Sequence, residues 1–265
     1  MTAALPGSPI FVGGAPRSGT TLLRALLNAT GSIYCGPELR VIPSLCSLSE
    51  QIKQTSLTTL SRQAGIDEAH LNGVFARAIS GFLSGLSETH AGQRIAEKTP
   101  ANALHFKELR HLFPSSPLIT VIRDGRDVVA SLLKLDWTDA RTGQPMDIVT
   151  DPAAAARLWQ ASVHAAEDMA GDGQFHQLRY EDLARSPDAT LTALFAFLGE
   201  EVDPATLDHT RIFRPEAGEN ETSAERAAQP IDARAIGRWR EDLTGRQLQT
   251  VEAIIGSDLR RLGYE

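Results

Sequence analysis

A short glycine-containing segment near the N-terminus constrains the fold most strongly. Residues 9–14 read PIFVGG, and residues 20–29 read TTLLRALLNA, with apolar side chains at helical spacing. Between them, Gly14 to Thr21 read GAPRSGTT. Glycines let backbone amides converge on one anion, and the start of the following helix adds partial positive charge. The segment therefore predicts a buried strand, a phosphate-binding loop and a helix.

The cation of this loop is not where a nucleotide triphosphatase has it. Such an enzyme needs a Lys after the second glycine, followed by a Ser or Thr that holds Mg²⁺. This chain has Thr20 in that place and Arg17 three residues earlier. A second apolar run, PLITVIRD, ends in Arg123 before Asp124. From these residues alone, a ligand-free tight turn and a Mg-dependent nucleotide kinase remain alternatives to a metal-free anion site.

The remaining pattern predicts one α/β domain over residues 1–265. Strands are expected at 94–98, 117–124 and 175–180, in addition to 9–14. Helices are expected at 20–29, 38–48 after a loop, 66–87, 101–113, 125–134, 153–170, 186–199 with a Ser cap, and from about 235. Strands that alternate with helices predict a P-loop-like parallel sheet with helices on both faces.

Two polar segments interrupt this alternation. Residues 136–152 read DWTDARTGQPMDIVTDP and are expected to form an exposed loop or lid. Residues 214–234 are polar and contain Gly and Pro, which predicts a flexible segment.

The bulk properties exclude several classes of protein. The formal net charge is -7, so a sequence-independent nucleic-acid binder is not expected. No segment approaches the roughly 18 consecutive apolar residues of a membrane span, and the N-terminus lacks the pattern of a signal peptide. Only Cys35 and Cys46 are present, too few for a disulfide framework. We therefore expect a cytoplasmic protein without a membrane segment.

Several motifs recur in the order known from one enzyme family. PRSGTTLLRALLNA leads into CGPELRVIPSL at 35–45. The later motifs are EKTP (97–100), VIRDGRDVVASLL (121–133), a Trp at 159, RYEDL (179–183) and GRW (237–239). Together they resemble the sulfotransferases that use 3′-phosphoadenosine 5′-phosphosulfate (PAPS), most closely the tyrosylprotein sulfotransferases. The resemblance covers most of the chain and implies the sulfotransferase fold.

The resemblance implies a donor site on named residues. The loop residues would hold the 5′-phosphosulfate; they are Ser18, Gly19, Thr20 and Thr21. Arg17 would cover the sulfonate or its bridging oxygen, and Lys98 would stabilise the leaving group. Arg123 and Ser131 would bind the 3′-phosphate, with Tyr180 near the nucleotide. Sulfuryl transfer needs positioning and fixed positive charge but no metal, so no metal site is predicted.

The resemblance also implies a general base, because an acceptor hydroxyl must lose its proton. Glu38 matches the family's base, and Arg40 matches a neighbour that orients it. The alternative is a Glu-Arg pair on a surface loop. Many cytosolic sulfotransferases use a His, but neither His105 nor His111 occupies a matching position.

The chain departs from the family pattern at three places: a disulfide position, a residue that contacts the acceptor and a residue near the donor. The family pairs the Cys of its CGEE motif with a Cys just before the catalytic Lys; this chain has Cys35 but Ala96. A basic residue that reads acidic peptides is replaced by Ser44. A family Lys near the donor corresponds to Gln229, with two nearby arginines as substitutes, Arg226 and Arg234.

The sequence thus predicts a PAPS-dependent O-sulfotransferase that acts on a tyrosine or phenol. A hydroxyl of a glycan or a small metabolite is the first alternative acceptor, and a Mg-dependent kinase is the alternative of another class. The expected partner is an acceptor peptide or small molecule. A homodimer stays open at this stage.

Overall fold

A parallel sheet lies at the centre of the protein. The computed structural model describes residues 5, 7–203, 207–214 and 223–265. The strands are β1 (Ile10–Gly14), β2 (Ile33–Cys35), β3 (Arg94–Lys98), β4 (Leu118–Ile122) and β5 (Phe175–Arg179). In the described ranges they form one five-stranded sheet, in the order β2-β3-β1-β4-β5, with every pairing parallel.

The helices connect these strands and cover both faces of the sheet. They are α1 (Thr20–Ala29), α2 (Val41–Thr55), α3 (Leu57–Ala64), α4 (Glu68–Thr89), a 3-10 helix (Pro100–His105), α5 (Phe106–Leu112), α6 (Gly125–Leu132), α7 (Asp147–Thr150), α8 (Pro152–Glu167), α9 (Tyr180–Arg185), α10 (Pro187–Leu198), α11 (His209–Ile212), α12 (Ala224–Ala227), α13 (Trp239–Asp242) and α14 (Gly245–Arg261). No helix within these ranges is long and apolar enough to cross a membrane.

The central strand shows how the core is divided. Successive side chains of a strand point to opposite faces. Ile10 and Val12 therefore join a cluster with α1, α9 and α10, whereas Phe11 joins a second cluster with α2, α4 and α5. All three side chains are fully buried, and each such burial stabilises the fold by about 1.5–3 kcal/mol. A third cluster around Trp159 packs α6, α8 and α14 together, so the Trp of the family motifs is a core residue here.

The predicted parallel sheet with helices on both faces is confirmed, but some elements differ. Residues 101–113 form the end of a 3-10 helix that begins at Pro100, followed by α5, rather than one helix. The C-terminal helix begins at Gly245 instead of about 235, because Thr244 and Gln247 form a capping box there. Ser186 occupies the cap position of α10, but its side chain makes no capping hydrogen bond.

The two polar segments also contain more structure than the sequence indicated. Residues 136–152 include a hairpin, in which Thr138 and Pro145 form an antiparallel bridge. The one-turn helix α7 follows the hairpin. Of the segment predicted to be flexible, 215–222 lies outside the described residues. Its remainder includes α12, and Ser223 accepts a hydrogen bond from Arg17 in the loop that follows β1. The flexibility of this segment stays a prediction.

Candidate active site

Every strand of the sheet ends next to a predicted site residue. Because the strands are parallel, their carboxyl ends share one edge of the sheet, where such folds bind ligands. Glu38 follows β2, Lys98 ends β3, the glycine loop follows β1, Arg123 follows β4 and Tyr180 follows β5. A cleft of about 1360 Å³ opens at this edge.

Most of the predicted site residues line this cleft. They are Arg17, Gly19, Thr20, Thr21, Glu38, Arg40, Arg123, Ser131 and Tyr180. Ser18 and Lys98 are buried, with 1% and 0% of their surfaces exposed. The structure thus brings the donor and acceptor residues of the sequence prediction to one place. Their chemical roles stay predictions.

Backbone geometry holds the glycine loop in its shape. Gly19 has a φ of 104°, in the left-handed region that favours glycine. A Cβ at this position would lie 2.6 Å from Cδ2 of Tyr180, so the ring of Tyr180 requires a glycine here. Arg17 has a φ of 73°, and a non-glycine residue in this region indicates backbone strain.

Two buried donor groups in the site lack hydrogen-bond partners among the described residues. They are the hydroxyl of Ser18 and the Nε of Arg123. A buried polar group without a partner is costly in a folded protein. An anion held by the loop and by Arg123 would accept hydrogen bonds from such groups. The residues present therefore fit a phosphate-bearing ligand.

Arg123 is held on several sides. Its NH1 donates to the carbonyl of Arg17 at 3.0 Å, and its guanidinium lies 4.7 Å from the centre of the Tyr180 ring. Trp159 Nε1 donates to the Arg123 carbonyl at 2.9 Å, and Asp127 lies 3.7 Å from NH2. The side chain is therefore preorganised at the cleft.

The Arg17 side chain contacts Ser131, one of the two residues predicted to bind the 3′-phosphate of the donor. Its Nε donates to Ser131 Oγ at 3.0 Å, and its NH1 donates to Ser223 Oγ. Burial, and then the neighbouring charge of Arg123, lower the pKa of Arg17. Two arginines and Ser131 thus form one cationic group. The prediction for Arg17 assigned it to the sulfonate, whereas its contacts place it between the loop and Ser131.

Glu38 joins two cations at the other end of the cleft. Lys98 Nζ donates to Glu38 Oε1 at 3.0 Å, and Arg40 Nε donates to Oε2 at 3.1 Å. The Lys98 side chain is fully buried, whereas 63% of the Arg40 side chain is exposed. Arg40 has a φ of 56° at the start of α2, again in the left-handed region. Glu38 thus forms the pair with Arg40 that the surface-pair alternative expects, but the buried Lys98 also holds its carboxylate in the cleft.

Glu97 is a site residue that the sequence analysis missed. This buried carboxylate accepts hydrogen bonds from Thr99 Oγ1 at 2.6 Å, from Asn102 Nδ2 at 2.5 Å and from the Leu39 amide at 3.3 Å. Burial raises the pKa of Glu97, and these hydrogen bonds partly offset that effect. Glu97 thus ties the loop that carries Glu38 to β3. An acidic residue inside a short buried strand was the available signal.

The segment after residue 222 covers the donor end of the cleft. The carbonyl of Ala235 accepts a hydrogen bond from Arg123 NH2. Asp232 contacts Arg226 and Arg234 at 2.6 Å each, and the hydrogen bonds from Arg234 lower the pKa of Asp232 to about 2. Of the residues proposed to replace the family Lys, Gln229 and Arg226 line the cleft.

Arg126, at the start of α6, has structural partners rather than a place in the cleft. It donates to Asp124 at 2.8 Å and lies against the Trp239 ring. Cys35 and Ala96 are neighbours in register on β2 and β3, and both are buried. The two positions named for the family disulfide are therefore adjacent, but Ala96 cannot form the bond.

A phosphate-binding loop, strand-end arginines and a Glu-Lys pair at one sheet edge are the features expected of a sulfotransferase. The chain belongs to the Sulfotransferase family, whose model matches residues 9–204.

Two curated relatives match almost the whole chain. A Caenorhabditis elegans protein named Protein-tyrosine sulfotransferase A is 29% identical over 97% of this chain and 67% of its own length. A Gallus gallus protein named Protein-tyrosine sulfotransferase 2 is 27% identical over 97% of this chain and 69% of its own length. The chain thus spans about two thirds of either relative.

Solved structures share the fold. A sulfotransferase domain from a Synechococcus olefin synthase has a TM-score of 0.61 and 20% identity, covering 96% of this chain and 97% of that domain. A mouse sulfotransferase complexed with PAP has a TM-score of 0.56 and 15% identity, covering 96% of this chain and 85% of that chain.

Proposed function

We propose that this protein transfers the sulfuryl group of PAPS to the hydroxyl of a tyrosine or another phenol. The observation that carries the proposal is the pairing of Glu38 with Lys98 at 3.0 Å in the cleft that the glycine loop and Arg123 also line. Membership of the Sulfotransferase family and relatives named protein-tyrosine sulfotransferases support the chemistry and the acceptor class.

The donor end supplies positive charge and hydrogen-bond donors. The loop amides, the Ser18 hydroxyl and the start of α1 would hold the 5′-phosphosulfate. Arg123, Arg17 and Ser131 would hold the 3′-phosphate. These groups are positioned before the donor arrives, so little reorganisation is needed as charge develops.

The transfer step then depends on Glu38 and Lys98. Glu38 accepts the proton of the acceptor hydroxyl while the acceptor oxygen forms the new bond to sulfur. The bond from sulfur to the bridging phosphate oxygen breaks, and Lys98 stabilises the charge on that leaving oxygen. Arg40 orients the carboxylate from its exposed side.

Calorimetry and a transfer assay test this function together. We expect 3′,5′-adenosine bisphosphate to bind without Mg²⁺, and labelled PAPS to transfer its sulfuryl group to a phenol or a tyrosyl peptide. Metal-dependent ATP binding without any response to the bisphosphate would overturn the proposal in favour of a kinase.

We also propose a cytoplasmic location. The support is compositional: the sequence has two cysteines, too few for a disulfide framework, and Ala96 stands where the family has its second cysteine. Fractionation of cells that express the tagged protein checks this, and recovery in a secretory fraction would contradict it.

A further inference from the structure

One buried carboxylate connects Arg123 to the segment that covers the donor end. Asp127 belongs to α6, lines the cleft and has a fully buried side chain. Its Oδ2 lies 3.7 Å from NH2 of Arg123. The charge of an acid in this position opposes an incoming phosphate, because like charges repel. Anion binding by itself therefore does not explain Asp127, and its other contacts indicate a different role.

The second set of Asp127 contacts is with a turn near residue 237. Oδ2 accepts a hydrogen bond from the Gly237 amide at 2.8 Å, and Oδ1 accepts one from the Trp239 amide at 2.9 Å. Gly237 has a φ of 76°, in the left-handed region that favours glycine. Because one carboxylate holds both amides, it fixes this turn to α6.

The turn lies at one end of a segment that forms a wall of the donor end. We call residues 229–238 the cover. The members of the cover that line the cleft are Gln229, Pro230, Ile231, Asp232, Ala235 and Arg238. The carbonyl of Ala235 accepts a hydrogen bond from Arg123. Arg123 and Asp127 thus hold the same end of the cover.

The other end of the cover is held by separate contacts. The carbonyl of Gln229 lies 3.0 Å from Nε2 of the buried His209. Asp232 forms an ion pair with Arg226, which precedes the cover, at 2.6 Å. These contacts do not involve Asp127. Loss of the Asp127 contacts should therefore loosen one end of the cover without detaching the whole segment.

We propose that Asp127 is a positioning residue for the donor: its carboxylate holds the cover in place and keeps Arg123 directed at the 3′-phosphate. The inference rests on the proposed sulfotransferase function, since it requires the donor end to bind PAPS. A carboxylate offers no hydrogen-bond donor to a phosphate. Asp127 acts instead through Arg123 and through the backbone of the cover.

The affinity of Asp127→Asn for 3′,5′-adenosine bisphosphate tests the proposal, because two effects of this substitution have opposite signs. The carboxamide has one acceptor oxygen, so one of the two amides of the turn loses its partner and the cover loosens. Loss of the negative charge, by contrast, strengthens phosphate binding. We expect calorimetry to give a Kd about tenfold higher than that of the unmodified protein, because preorganisation of the site is lost. A lower Kd would show that charge is the main effect and would overturn the proposal.

Gly237→Ala loosens the same turn from the other side. An alanine at a φ of 76° is strained, so the amide of residue 237 is displaced from Asp127. We expect a similar rise in Kd, also where Asp127→Asn yields no folded protein. The double variant should bind the bisphosphate about as well as either single variant, because both changes release the same contact. Independent effects that multiply in the double variant would contradict the proposal.

Kinetics separate positioning from a general loss of stability. With labelled PAPS and 2-naphthol, Asp127→Asn should raise the KM for PAPS about tenfold, while kcat at saturating donor changes by less than about twofold. Asp151→Asn is the matched control. The Asp151 carboxylate also accepts from two backbone amides, those of Ala153 and Ala154 at the start of α8. This control should lower the melting temperature and leave both Kd and KM unchanged.

The remaining outcomes distinguish the inference from the function on which it rests. An unchanged Kd in Asp127→Asn, or an equal rise of Kd in Asp151→Asn, would make Asp127 a structural residue only. If the unmodified protein did not bind the bisphosphate at all, the sulfotransferase function itself would be refuted.

Discussion

The donor end and the acceptor end of the cleft are built differently. At the donor end, Ser18 is 1% exposed and Arg123 is 8% exposed, and both belong to turns that follow buried strands. At the Glu38 end, 16% of the Glu38 side chain and 63% of the Arg40 side chain are exposed. The donor end is therefore built from turns of the fold itself, whereas the Glu38 end is built from side chains on an exposed loop.

The largest expected effect comes from a substitution of Glu38. Glu38→Gln should lower the transfer rate about 10²–10⁴-fold, because the acceptor hydroxyl loses its base. Affinity for 3′,5′-adenosine bisphosphate should stay the same, since Glu38 contacts Lys98 and Arg40 rather than the loop. A rate close to that of the unmodified protein would remove Glu38 from the mechanism.

Glu97→Gln tests whether the buried carboxylate positions the Glu38 loop. An amide cannot accept hydrogen bonds at both ends, so the contacts with Leu39, Thr99 or Asn102 must shift. We expect kcat to fall by up to about a hundredfold, the cost of a small displacement of a reacting group, with donor affinity retained.

Glu108→Gln is the matched control for this variant. Glu108 is also buried and bonded, but its partners are Ser49 and Lys53 on α2 rather than the loop that carries Glu38. The Glu108→Gln variant should have a lower melting temperature but an unchanged kcat. Equal kcat values for the two variants would make Glu97 a structural residue only.

Arg123→Ala measures the strength of the donor end. Loss of a charge-assisted contact with a phosphate should cost about 2 kcal/mol of binding free energy, or about thirtyfold in the Kd of the bisphosphate. Calorimetry checks this, with Arg126→Ala as the control, since Arg126 is equally buried but contacts Asp124. An unchanged Kd for Arg123→Ala would remove this residue from the phosphate site.

Arg17→Ala has the smallest expected effect and distinguishes two assignments of the same residue. If Arg17 acts with Ser131, the variant should weaken 3′,5′-adenosine bisphosphate about tenfold while binding of adenosine 5′-monophosphate changes little. If it covers the sulfonate instead, the transfer rate should fall while the two nucleotides lose affinity equally. Binding of both nucleotides, together with kcat, separates these outcomes.

The donor end could be predicted well because its determinants are local. Gly19, Arg17 and the helix start lie within one short segment, and such a segment has few compatible conformations. The alternation of strands and helices then requires a parallel sheet, whose strand ends share one edge. That rule alone brings Arg123, Lys98 and Glu38 toward the loop.

The acceptor end and the finer contacts could not be predicted because they join residues far apart in the chain. Arg17 meets Ser131 across 114 positions, and the Arg17 guanidinium also meets Ser223 across 206. Glu97 meets the Leu39 amide across 58 positions, because β2 and β3 are adjacent in the sheet. The loop, the parallel sheet and the chemical character of the site follow from local patterns in the sequence. Which side chains face each other across the cleft follows only from the tertiary structure, because such contacts depend on packing between elements rather than on local conformation.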